Sequence, residues 1–125
     1  MPKVKQEQVT RLEGEINNLW GELNTVNIPH NTRILMEKQM QEVEGEFKAV
    51  LQGKGSAAKL EKKLAKLDFD LAHAAVLQAE NEISKTQHEK APFQGLENVK
   101  HGLKDKSLTP LEARHEVKKI TRKYS

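Results

Sequence analysis

Two stretches set a carboxylate three residues ahead of an imidazole, Asp70 to His73 and Glu112 to His115. On a helix that spacing makes the two groups neighbours. Bundles that hold a pair of metal ions use such pairs, with further glutamates, pointing into the core. The helical wheel argues against that use here. It turns Glu112 and His115 away from the stripe Ala113, Val117, Ile120, and it sets His73 well off the leucines of its own segment. His88-Glu89 and His115-Glu116 lack the second histidine four residues on that a zinc-protease helix requires. Asp68 and Asp70 are close in sequence, but helical side chains two apart diverge, and both are expected to balance the preceding lysines.

Other chemistry fails on spacing or composition. Gly53-Lys54-Gly55-Ser56 superficially looks like a phosphate loop. Such a loop needs a glycine at 48 and a hydroxyl residue at 55, where this chain has Lys48 and Gly55. There is no cysteine, which excludes thiolate catalysis and disulfides and suits a reducing, cytoplasmic setting. The expectation is a protein without catalytic residues, metal or cofactor: not an enzyme.

Cationic faces are the stronger signal. Lys59, Lys62, Lys63 and Lys66 share roughly 100° of one helical face. Arg114, His115, Lys118, Lys119, Arg122 and Lys123 fill nearly the whole polar side of the last helix. Such stripes neutralise phosphates, dock on an acidic protein, or simply keep a helix soluble and complement its dipole. No aromatics interleave with the cations for base stacking, and only two of the last helix's cations are arginines.

These faces need helices to carry them, and the composition supplies helices. Of 125 residues, 36% are hydrophobic and 31% charged, with only five of Phe, Trp and Tyr. That mixture suits rods that bury one stripe each, and no alternating run reads as a strand. No run is apolar enough for a signal peptide or a membrane span, so no membrane partner is expected. The net charge of +3 is uneven: residues 92–125 carry 8 Lys+Arg against 4 Asp+Glu, residues 1–52 carry 6 against 8.

Val9, Leu12, Ile16, Leu19, Leu23 and Val26 alternate spacings of three and four, a heptad seam in a helix of about 3–26. Trp20 lies beside it, and Ile28-Pro29 ends the helix. Met36, Met40, Val43, Phe47 and Val50 continue the spacing over 31–52, which Gly53 terminates. Ser56 caps a third helix over 56–87 with two apolar faces. Leu60, Leu64, Leu67, Leu71 and Ala74 make one; Ala58, Ala65, Phe69, Ala72, Val76, Ala79 and Ile83 make the other. Residues 88–92 read as a linker. A short helix with Phe93, Leu96, Val99 and Leu103 follows, then a turn at 105–107. Thr109-Pro110-Leu111-Glu112 is a capping box opening the last helix, whose stripe ends at Tyr124.

The expected fold is therefore all-α: a helical hairpin or coiled-coil bundle of three long helices over 1–87, and a basic helical hairpin over 93–125. Three motifs of the form apolar-x-Gly-Glu-apolar put Gly14, Gly21 and Gly45 at outward heptad positions, either tolerated there or opening a groove for another backbone. The second face of the third helix asks for cover beyond a lone hairpin. Self-association as a homodimer through Val9, Leu12, Ile16, Leu19, Leu23, Leu60, Leu64, Leu67, Phe69, Leu71 and Val76 is the expectation. Lys59, Lys62, Lys63, Lys66, Arg114, Lys118, Lys119, Arg122 and Lys123 are expected to bind a partner. That pattern describes a scaffold or adaptor binding an acidic protein. A nucleic-acid-associated regulator using the same cations is the second reading, and a small inhibitor or chaperone capping another protein is the third.

Overall fold

The computed structural model describes the backbone of residues 6–86 and 90–124 and the side chains of 6–84 and 92–123. Five helices and no strand occur among the described residues: α1 (Gln6–Thr25), α2 (His30–Leu51), α3 (Ala57–Thr86), α4 (Lys90–Asp105) and α5 (Pro110–Tyr124). None of them is long and apolar enough to cross a membrane. The chain falls into two compact units. One comprises Met1–Thr25 and His30–Leu67, the other Val26–Pro29 and Asp68–Ser125, so that α3 contributes to both.

In the first unit, α1 and α2 pack together. The heptad residues Leu12, Ile16, Leu19 and Leu23 of α1 are buried, as are Met36, Met40, Val43 and Val50 of α2 and Leu60, Leu64 and Leu67 of α3. Val9 and Phe47 are half-buried. Gly53 ends α2 with φ 76°, a backbone region in which a side chain costs about 1–2 kcal/mol. Its N–H donates to the Val50 carbonyl at 3.0 Å and the Lys54 N–H to that of Ala49 at 2.8 Å, the paired bonds of a Schellman stop. The Ser56 hydroxyl then accepts the Lys59 N–H at 3.3 Å and opens α3.

In the second unit, one core joins Ala72, Val76, Ala79 and Ile83 of α3 to Leu96, Val99 and Leu103 of α4 and to Ala113 and Val117 of α5. The expected uncovered face of α3 is therefore covered within one chain: Leu71 is 1% and Val76 0% exposed. The face is also shorter than its spacing suggested. Ala58 and Ala65 are exposed, and cover begins at the half-buried Phe69. Of the expected linker, residues 88 and 89 lie outside the described residues, whereas 90–92 already form the first turn of α4. Pro92 is tolerated because the first N–H groups of a helix have no partner within it; its ring is fully buried. The expected start of α1 at residue 3 and the Tyr124 side chain also lie outside the described residues.

The repeated glycines do not pack. A Cβ added at Gly14, Gly21 or Gly45 meets nothing within 4 Å, whereas one at Gly102 would lie 2.7 Å from Leu108 Cδ1 and one at Gly95 3.0 Å from Ile120 Cδ1. Gly14→Ala and Gly21→Ala should therefore each raise stability by about 0.5–1 kcal/mol in urea denaturation. Gly102→Ala should lower it, because Leu108 must move. Destabilisation by the first two would mean that the outer face of α1 is covered after all.

Candidate interaction surface

Helix α5 begins as its sequence requires. The Thr109 Oγ1 accepts the Glu112 N–H at 3.1 Å and the Glu112 carboxylate accepts the Thr109 N–H at 3.0 Å. The second of these bonds, above all, holds the Glu112 carboxyl below its ordinary range. Ala113 and Val117 then face the core and Ile120 is half-buried, which leaves six basic side chains to be placed.

They do not share one fate. Arg114 is buried, 5% exposed. Its Nη1 donates to Asp68 Oδ1 at 2.5 Å and to the Asp68 carbonyl oxygen at 3.3 Å. Arg114 thus leaves the expected partner-binding set and becomes a tie between α5 and α3. Asp68 correspondingly balances a cation 46 residues on, instead of its neighbouring lysines. His115, Lys118, Lys119, Arg122 and Lys123 are exposed. Lys119 lies 3.3 Å from Glu116 with its side chain 75% exposed, a pair that solvent screens almost fully. Lys118 has no ion-pair partner among the described residues.

The α3 lysines divide similarly. Lys63 sits between Glu46 at 2.8 Å and Glu42 at 3.6 Å, and Glu46 chiefly raises its affinity for the proton. Lys59, Lys62 and Lys66 are exposed. Nearby, Arg11 pairs with Glu61, and that bond, with a smaller one from Gln8, depresses the Glu61 carboxyl. The Trp20 indole N–H donates to the Glu44 carboxylate, so the ring lies beside the seam with its polar edge bonded. The expected self-association residues are turned into the chain itself: apart from the half-buried Val9 and Phe69, all are buried. The apolar surface on which a second copy was expected to dock is therefore taken up internally.

One member of each carboxylate–imidazole pair is engaged elsewhere. Glu112 serves the cap, and the His73 ring stacks on Phe69 with centroids 6.1 Å apart and an interplanar angle of 8°. Among the described residues no three His, Asp or Glu side chains converge as metal ligands would.

Two features escaped the sequence. Lys100 bridges Glu80 at 3.0 Å and Glu97 at 3.1 Å. Its i,i+3 bond to Glu97 is readable from spacing, but the one to Glu80 is not. The second feature is a cleft of about 90 Å³ in the second unit. Val26, Ala75, Ala79 and Val117 give it an apolar floor, and Asn27, Glu82, Lys118 and Thr121 stand around it, with Arg114 reaching its wall.

No protein-family model matches the sequence, and no curated protein or solved structure matches it either.

Arg114→Ala should destabilise the protein by on the order of 2–3 kcal/mol, somewhat less than for a wholly buried pair because Asp68 is 32% exposed. Lys118→Ala should change stability by less than about 0.5 kcal/mol. Equal losses in chemical denaturation would contradict the inward placement of Arg114. The Glu112 carboxyl, depressed in the folded chain, stabilises α5 at neutral pH and loses that effect as pH falls through its lowered folded-state value. Glu112→Gln should therefore flatten the acid side of the stability–pH profile; an unchanged profile would deny the cap its charge.

Proposed function

We propose that this chain is a non-enzymatic helical interaction protein, an adaptor that docks on an acidic protein through the exposed cationic side of α5. The observation that carries the reading is exposure: α5 buries one of its cations and keeps the others at the surface. Arg114 is taken by Asp68, and Lys118, Lys119, Arg122 and Lys123 stay at the surface. A helix that needed charge only for its dipole would be served by one or two cations in its last turn. Here cations also occupy the middle of the helix.

In this reading the heptad-spaced helices form a coiled-coil-like body that supplies stability, and α5 supplies recognition. Self-association loses its main support, because the leucines that called for a second copy are shielded in one chain. A protein partner is favoured over nucleic acid because no aromatic ring is interleaved with the α5 cations to stack on bases, and the exposed lysines are point charges without bidentate geometry. A cytoplasmic setting fits a chain without cysteine.

The test is a fluorescence-anisotropy titration of the full chain against a short polyglutamate peptide, a DNA duplex and a single-stranded RNA of matched charge, over a range of salt. Tighter binding of the peptide is expected, reduced at least tenfold by Lys118→Glu with Lys119→Glu. Preference for either nucleic acid, with the steep salt dependence that phosphate contacts impose, would overturn the reading, as would indifference to the double substitution.

A further inference from the structure

The cleft in the second unit borders the surface just described, because Lys118 belongs to both. Its size decides what it can hold. About 90 Å³ is several times the roughly 10–15 Å³ that a cavity needs, on the same measure, to hold one water. It falls well short of the roughly 300–1,000 Å³ of pockets for cofactors and drug-sized ligands. One side chain fits; a nucleotide does not.

Its chemistry narrows the guest further. Ala75, Ala79, Val117 and Val26 offer an inserted group only carbon to touch. At the rim the charges are divided between the helices. Glu82 of α3 is held by the Asn27 amide at 2.9 Å and the Gln78 amide at 3.2 Å, while Lys118 of α5 is exposed. A carboxylate or phosphate entering the cleft would meet Glu82 at the rim, while Arg114 in the wall is already bonded to Asp68. An aliphatic group meets no such penalty, and an acidic residue beside it in the partner would lie against Lys118.

Resting on the reading of α5 as a partner-binding face, we propose that this cleft is the anchor socket of that interface. It takes one aliphatic side chain, of valine, leucine or isoleucine size, from an acidic segment of the partner protein whose carboxylates meet Lys118 and the cations beside it. The division of labour is that of many interfaces: a small apolar pocket at the centre supplies affinity, and charge around it supplies orientation and encounter rate.

The test is selection of a randomised peptide library on the full chain, followed by titration of the selected peptides against the wild type, Thr121→Phe and Lys118→Glu. Thr121 is half-buried at the rim, and its hydroxyl donates to the Lys118 carbonyl at 3.1 Å, so a ring there fills the cleft from outside the core. Peptides with a single aliphatic residue flanked by carboxylates are expected, binding Thr121→Phe at least tenfold more weakly while its circular dichroism is unchanged. Acidic peptides that bind Thr121→Phe normally but lose Lys118→Glu would overturn the socket and leave the α5 reading standing. Peptides without acidic residues would overturn both. Should Thr121→Phe fail to fold, the Val26 and Val117 methyl resonances of the wild type decide. Their movement on adding peptide supports the socket, and their constancy overturns it.

Discussion

From Phe69 onward α3 carries apolar side chains on two faces, and such a helix is stable in water only if both are covered. The second unit covers the outer one with α4 and α5 through a single cluster, in which small residues set the spacing. Ala72 and Ala79 of α3 and Ala113 of α5 let backbones approach. Gly95 and Gly102 of α4 leave room for Ile120 and Leu108. Each buried Leu or Val contributes on the order of 1.5–3 kcal/mol. The glycines, costly to helix formation, are offset by the contacts they admit. Without that cover, Val76 and Ile83 would face water, and a second copy would be the simplest remedy.

Charge follows the same division of α3. Its first turns carry Lys59, Lys62, Lys63 and Lys66, and in the first unit Lys63 meets Glu42 and Glu46 of α2. Its remainder carries Asp68, Asp70, Glu80 and Glu82, and in the second unit Asp68 meets Arg114 and Glu80 meets Lys100. The Lys63 pairs are exposed enough to add little stability, whereas the Arg114–Asp68 and Lys100–Glu80 pairs are mostly shielded. Their value is in selection: the reverse pairing of segments would set like charges together. On α5 this sorting buries Arg114, while Lys118, Lys119, Arg122 and Lys123 stay exposed.

Much of this was legible in the residues. The heptad spacing located the cores of α1 and α2, and Gly53, Ser56 and the Thr109–Glu112 box marked helix ends where the backbone has them. What periodicity cannot give is the identity of the neighbour. Arg114 lies about 100° from Ala113 on a helical wheel, at the flank of the stripe. Whether a flank is wet or dry depends on what packs there, and Asp68 is 46 residues away. Ala58 and Ala65 illustrate the converse. They fall on the second apolar face by spacing, yet remain exposed because α4 and α5 meet α3 only further along. Gly14, Gly21 and Gly45 repeat but meet nothing, whereas the helical glycines that pack are the unrepeated Gly95 and Gly102.

Within one polypeptide both apolar faces of α3 are shielded, at Leu71 and at Val76, so no second copy is needed to cover them. Sedimentation equilibrium across micromolar to submillimolar concentrations addresses this most directly. A single species of 14.2 kDa, with helicity that does not change on dilution, is the required result. A species of twice that mass, losing helix as it dissociates, would mean that the second face is closed by another copy and that the account is wrong.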